Sequence, residues 1–306
     1  MRPFFIIFLL SVNYLSCGVS ITWAKWNSIG DFAGVGRQNA VAFGIDDKVY
    51  VGLGDDGNTN FNDFWEFDNN TWVRKTDFPG TVREPIFFSS HDYGYIMSGH
   101  CGCKDFWSYN PETDKWTKRA DCPVSDLYHA AVFELGNYVY IATGLQNGSL
   151  QRSVWRYDRY YNTWSQMKDF PGTPVEQAVG FTIDNKGYVA TGNKAGGKSN
   201  EMWQYDPETD SWSRKADFPQ EVSGCVAFRS DWEASAYVGL GDPRPEFYAY
   251  KPYNNKWSKT TDFIGSSRKG AVTIELNGQR YLGLGASSPG QYTKEMWEFI
   301  PERRSK

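Results

Sequence analysis

Three arginines stand at one fixed offset in the chain. Arg37, Arg83 and Arg268 each lie six residues past an Asp-Phe step, at Asp31-Phe32, Asp77-Phe78 and Asp262-Phe263. Leu127, Val175 and Ser223 complete the column, and the next two columns supply Gln38, Asn39, Glu84, Tyr128, His129, Glu176, Gln177 and Lys269. Planar guanidiniums bind carboxylates through paired hydrogen bonds, so this set suits an anionic or polyhydroxy ligand such as an acidic sugar. The structural alternative is that the arginines bond to main-chain carbonyls and to Glu84 around a wet channel. Both readings stand at this level.

These positions recur because the chain repeats. Trp26, Trp72, Trp116, Trp164, Trp212 and Trp257 are spaced by 46, 44, 48, 48 and 45 residues. Five residues after each comes an Asp-aromatic step, with Asp121-Cys122 the one departure. Nine residues before four of them stands another aromatic, namely Trp107, Trp155, Trp203 and Tyr248; Trp65 precedes its partner by seven, and Trp297 repeats the motif. Eleven of the 13 Trp fall in these two columns, which makes the pattern a repeat. Each unit also holds an apolar run ending in Gly, such as Tyr50-Val51-Gly52-Leu53-Gly54 and Tyr188-Val189-Ala190-Thr191-Gly192. The order strand, Gly, loop, Trp-x-aromatic, turn, Trp, strand predicts four short antiparallel strands per unit.

Over residues 22–301 the sequence resembles the kelch repeats, and the resemblance implies an all-β fold, a β-propeller. The chain begins with an outer-strand Trp26 and ends with inner strands that lack an outer one. Six blades are expected, with the N-terminal strand completing the last blade and closing the ring. The Gly and Trp columns then read as blade packing rather than catalysis. Residues 302–306 are a C-terminal tail.

In such a ring the variable loops 55–62, 100–104, 145–152, 193–200, 242–246 and 286–294 share one face, which is the candidate binding face. If Trp107 lies opposite Trp116, Cys101 lies opposite Cys122, so a Cys101–Cys122 disulfide is expected, with Cys103 as the rival partner. Cys225 reads as a small buried hydrophobe. His100 and His129 share the same face, but no His-x-His or Cys-x-x-Cys motif accompanies them, and neither a metal nor a cofactor is expected.

Arg2 followed by the apolar run 4–10 predicts an export signal over residues 1–20, too short to span a bilayer. Leu15-Ser16-Cys17 resembles a bacterial lipobox, which would make Cys17 a lipid anchor; the alternative is plain cleavage near Ser20. The protein is therefore expected in the cell envelope, as a periplasmic or lipid-anchored outer-membrane protein, or secreted. A net charge of −4 leaves no basic footprint for nucleic acid, and 17% aromatics excludes disorder.

No nucleophile–base–orienter trio and no phosphate loop is visible. The leading functional expectation is a monomeric, non-catalytic binding module that presents its loop face to a glycan or a protein. The alternative is a sugar-modifying enzyme resembling the kelch-type sialic acid epimerases, with Glu84, Glu176, His129 and the three arginines as its parts. A purely structural envelope protein is a third option. Galactose oxidase resembles the chain in fold alone, because its copper ligands have no residue-by-residue match here.

Overall fold

A computed structural model describes residues 21–22, 24–80, 82–90, 92–97, 99–230, 234–241, 244–301 and 303–304. The expected export signal, residues 1–20 with Cys17, lies outside the described residues. All regular structure that is described is β, and six sheets have four antiparallel strands. Their inner strands are Val41–Ile45, Ile86–Ser89, Ala131–Leu135, Val179–Ile183, Val226–Arg229 and Val272–Leu276. In five sheets the strands follow in chain order from inner to outer. The sixth takes Val272–Leu276, Gln279–Gly283 and Glu295–Ile300 from the end of the chain and Lys25–Asp31 from its start. Beyond it, Ile21–Thr22 pairs with Arg303–Arg304. Each inner strand lies against the next, and Val272–Leu276 lies against Val41–Ile45. Sheets arranged in this way about an axis make a β-propeller.

Alternation along the inner strands explains the packing. In Ala131–Leu135 and Val179–Ile183 every second residue is buried between sheets, and the others face the axis. Axial crowding selects glycine at Gly180, where a β-carbon would collide with the Val132 carbonyl.

Outside this core, the repeated residues join each sheet to the one before it. The indoles of Trp72, Trp116, Trp164, Trp212 and Trp257 donate to the carbonyls of Asp31, Thr76, Ala120, Lys168 and Ala216 at 3.0–3.1 Å. The corner rings Phe32, Phe78, Phe170 and Phe218 meet Trp72, Trp116, Trp212 and Trp257 edge-on at 4.9–5.3 Å. A second lock pairs tyrosine with an acid or amide five residues on. Tyr109, Tyr157, Tyr205 and Tyr250 donate to Asp114, Asn162, Asp210 and Asn255. The same four acceptors also receive a backbone N–H of the preceding sheet, from Thr76, Ala120, Lys168 and Ala216.

The strand register corrects one expectation. Trp116 lies opposite Tyr109, and Trp107 faces Lys118, a shift of two from a Trp107–Trp116 pairing. The disulfide instead forms inside one loop, between Cys101 and Cys103, with 5.2 Å between their α-carbons. Cys122 is not its partner. It occupies the corner position otherwise held by Phe and is buried against Phe106, Leu127 and Val139. Burial pushes its thiol up to about 11.

Candidate functional site

The chain enters every inner strand through one left-handed residue. These are Asn39, Glu84, His129, Gln177, Gly224 and Gly270, with φ between 51° and 67°. Asn39 N–H donates to the Gly270 carbonyl at 3.0 Å, Gln177 N–H to His129 at 2.8 Å and Gly224 N–H to Gln177 at 2.9 Å. Neighbouring entries are thus stitched together around the axis. Glycine and asparagine take this conformation readily and histidine more often than most side chains, whereas glutamate and glutamine resist it. Holding Glu84 and Gln177 there requires an over-determined frame, a pattern that clusters at functional sites.

His129 sits between two carboxylates. Its Nδ1 is 2.8 Å from Glu176 Oε2, and its Nε2 is 3.6 Å from Glu84 Oε2. A carboxylate only accepts, so Nδ1 carries the proton toward Glu176 and Nε2 is left to exchange one. All three side chains are about one-fifth exposed, enough for a ligand to reach them. Glu84 and His129 line a cavity of about 280 Å³ at the entry end of the axis. Beneath them its wall is a row of small residues: Ala40, Pro85, Ala130, Ala178, Cys225 and Ala271. Burial pushes the free Cys225 thiol up to about 12, so it is neutral at physiological pH.

The rest of the predicted site is distributed around this trio. The Tyr128 ring packs between the imidazoles of His100, at 4.6 Å, and His129, at 5.2 Å. Burial raises its pKa, and the charges of Asp126, Glu84 and Glu176 add to the shift. Gln177 accepts from Asn193 Nδ2 at 3.2 Å, and Gln38 and Asn39 both donate to Asp55.

The three arginines do not converge on the cavity. Arg37 is fully buried, donating to the carbonyls of Val35 and Leu53 and gripping Asp63 with its fork, 4.2 Å over the Phe61 ring. Arg268 repeats the arrangement with Ser266, Leu284 and Glu295, over Phe263. Both side chains turn back to the acid that stands two residues before a Trp, Asp63 before Trp65 and Glu295 before Trp297. They therefore brace the fold. Arg83 is exposed beside Glu84. The acidic partners Asp63 and Glu295 are the structural residues that column counting missed; their signal is the Asp-x-Trp and Glu-x-Trp spacing.

No family model matches the sequence. Over 113 residues, 34% of the chain, it is 30% identical to a protein named N-acetylneuraminate epimerase from Pasteurella multocida (strain Pm70). That match spans 30% of the relative's length. Among solved structures, one titled "Structure of YjhT" aligns with a TM-score of 0.74 at 15% identity, covering 90% of this chain and 99% of that one. This second likeness bears on the fold alone and agrees with a β-propeller.

Proposed function

We propose that the protein is a six-bladed, kelch-type propeller, closed by its N-terminal strand, that interconverts the forms of an acidic sugar by acid–base chemistry at the entry end of its axis. The observation that carries this reading is the imidazole of His129 held between Glu84 and Glu176 at the lip of a monosaccharide-sized cavity. The partial likeness to an N-acetylneuraminate epimerase supports the substrate class. Six four-stranded sheets and the pairing of Lys25–Asp31 with Glu295–Ile300 support the blade count and the closure.

In the proposed step, one group of the trio removes the proton of the anomeric hydroxyl while another protonates the ring oxygen. The ring C–O bond breaks, the anomeric carbon becomes a carbonyl, and closure on its other face returns both protons. Glu176 orients the imidazole and stabilises its protonated form, and Arg83 is the accessible cation for the sugar's carboxylate. The export signal belongs to the same reading, in which the sugar is met outside the cytoplasm.

NMR exchange spectroscopy on N-acetylneuraminate tests the proposal. Exchange between anomers should exceed the protein-free rate and fall about 10²–10⁴-fold in His129→Asn. Saturable line broadening without exchange would instead make the protein a glycan-binding module.

A further inference from the structure

The axial channel is built in layers, because residues two apart on the inner strands face the same way. Three residues past each left-handed entry lies a ring made of Ala42, Phe87, Val132, Gly180, Ala227 and Thr273. These six share one register. Each pairs with an apolar residue of the second strand, Ala42 with Val51 and Phe87 with Ile96 for example, and that residue pairs with an aromatic of the third, Trp65 or Trp107. Five of the six are small or medium in size. Phe87 alone is large.

This ring is where two cavities meet. The entry cavity of about 280 Å³ ends on Phe87, and the far cavity of about 380 Å³ begins there; both are lined by Phe87, Val132, Gly180, Ala227 and Thr273. Past the waist the lining turns polar with Ser89, Glu134, Thr182, Arg229 and Glu275. Phe87 is partly exposed to the channel, and its other side rests on Phe43 with the ring centroids 6.1 Å apart. The entry cavity thus has a charged lip, walls of small residues and one aromatic at its base.

We propose that Phe87 is the floor of the candidate site and selects a sugar whose buried end carries a short apolar substituent. This rests on the sugar-directed reading above. A ligand with its polar edge at Glu84 and His129 must send its other end down a wall of alanines onto the Phe87 ring. A hydroxyl there meets the Phe87 face and carbon on most sides, with the Thr273 hydroxyl the one polar side chain in the ring, whereas a methyl-tipped acyl group is desolvated against carbon. Substitutions at Phe87 should therefore alter the choice between sugars more than they alter the chemistry at the lip.

Titration calorimetry with two probes tests this: N-acetylneuraminate, and the otherwise identical nonulosonic acid with a hydroxyl in place of the acetamido group. The wild-type protein should bind the acetamido sugar about tenfold or more tightly than the hydroxyl sugar. Phe87→Ala should bring the two affinities within about twofold of each other, chiefly by weakening the acetamido sugar. Phe87→Leu, which retains an apolar side chain and protects the fold if the alanine variant is insoluble, should give an intermediate ratio. An unchanged ratio in either folded variant overturns the proposal. Discrimination in binding without anomer exchange sinks the catalytic reading and leaves the floor standing. Exchange without discrimination does the reverse, and failure to bind either sugar overturns both.

Discussion

Arg37→Ala distinguishes a brace from a ligand group. The wild-type guanidinium donates to Val35 O at 2.9 Å and Leu53 O at 2.8 Å, and its fork holds an Asp63 carboxylate whose side chain is 15% exposed. Truncation leaves that carboxylate with the Trp65 indole, at 2.7 Å, in place of a cation. Removing one partner of a buried ion pair costs about 3–5 kcal/mol, and the surviving indole bond argues for the lower end, about 3 kcal/mol. Arg37→Lys keeps the charge but loses the fork and a carbonyl bond, and should cost about 1–3 kcal/mol. The effect carries a pH signature. Burial opposes the charged form of Asp63, but hydrogen bonds from Arg37 and Trp65 and the guanidinium charge outweigh it, holding the carboxyl below the usual range. A group whose pKa is depressed on folding contributes stability above its unfolded pKa and loses it as pH falls through the folded value. The gap between wild type and Arg37→Ala should therefore be full at pH 7 and narrow below about pH 4. Urea unfolding followed by tryptophan fluorescence reads both conditions. A loss below about 1 kcal/mol at pH 7, with sugar affinity falling instead, would show that Arg37 serves a ligand and that the bracing argument is wrong.

Two further outcomes follow from the packing. Trp26 is 5% exposed among Phe228, Phe247, Phe263 and Phe299, so Trp26→Ala should cost about 3–5 kcal/mol; a melting temperature unchanged by this substitution would contradict the pairing of the chain's two ends. Non-reducing peptide mapping should recover Cys101 joined to Cys103, with Cys122 alkylated only after unfolding because its thiol is buried and neutral; a Cys101–Cys122 peptide would refute the register.

The architecture was legible because each Trp answers a contact that recurs at every sheet junction. An indole that must reach a carbonyl of the preceding sheet fixes both residue type and period, and the corner Phe fixes the spacing after it. Register was less legible. Matching Trp107 to Trp116 by size ignores the column that sets the pairing, Tyr109 with Asp114, Tyr157 with Asn162, Tyr205 with Asp210 and Tyr250 with Asn255. That five-residue spacing stands in the sequence. It places Trp116 against Tyr109, and with it the Cys101–Cys122 pairing fails.

The site divides along the same line. Glu84, His129 and Glu176 each lie at or next to the left-handed turn into an inner strand, and because that turn repeats, counting along the repeat brings all three to the mouth of the channel. Arg37 and Arg268 obeyed the same count and went elsewhere, because an acid stood within reach of each, Asp63 largely buried and Glu295 half-exposed. Position in a repeat fixes where a side chain starts, and its charge partner decides where a long side chain ends. Short groups such as the Phe87 ring have little such freedom, so a column is most informative where the side chain is too stiff to choose. On that ground the place of the Phe87 ring follows more firmly from the repeat than that of the charged rim does, and the floor proposed there is the part of the site that rests most directly on the fold.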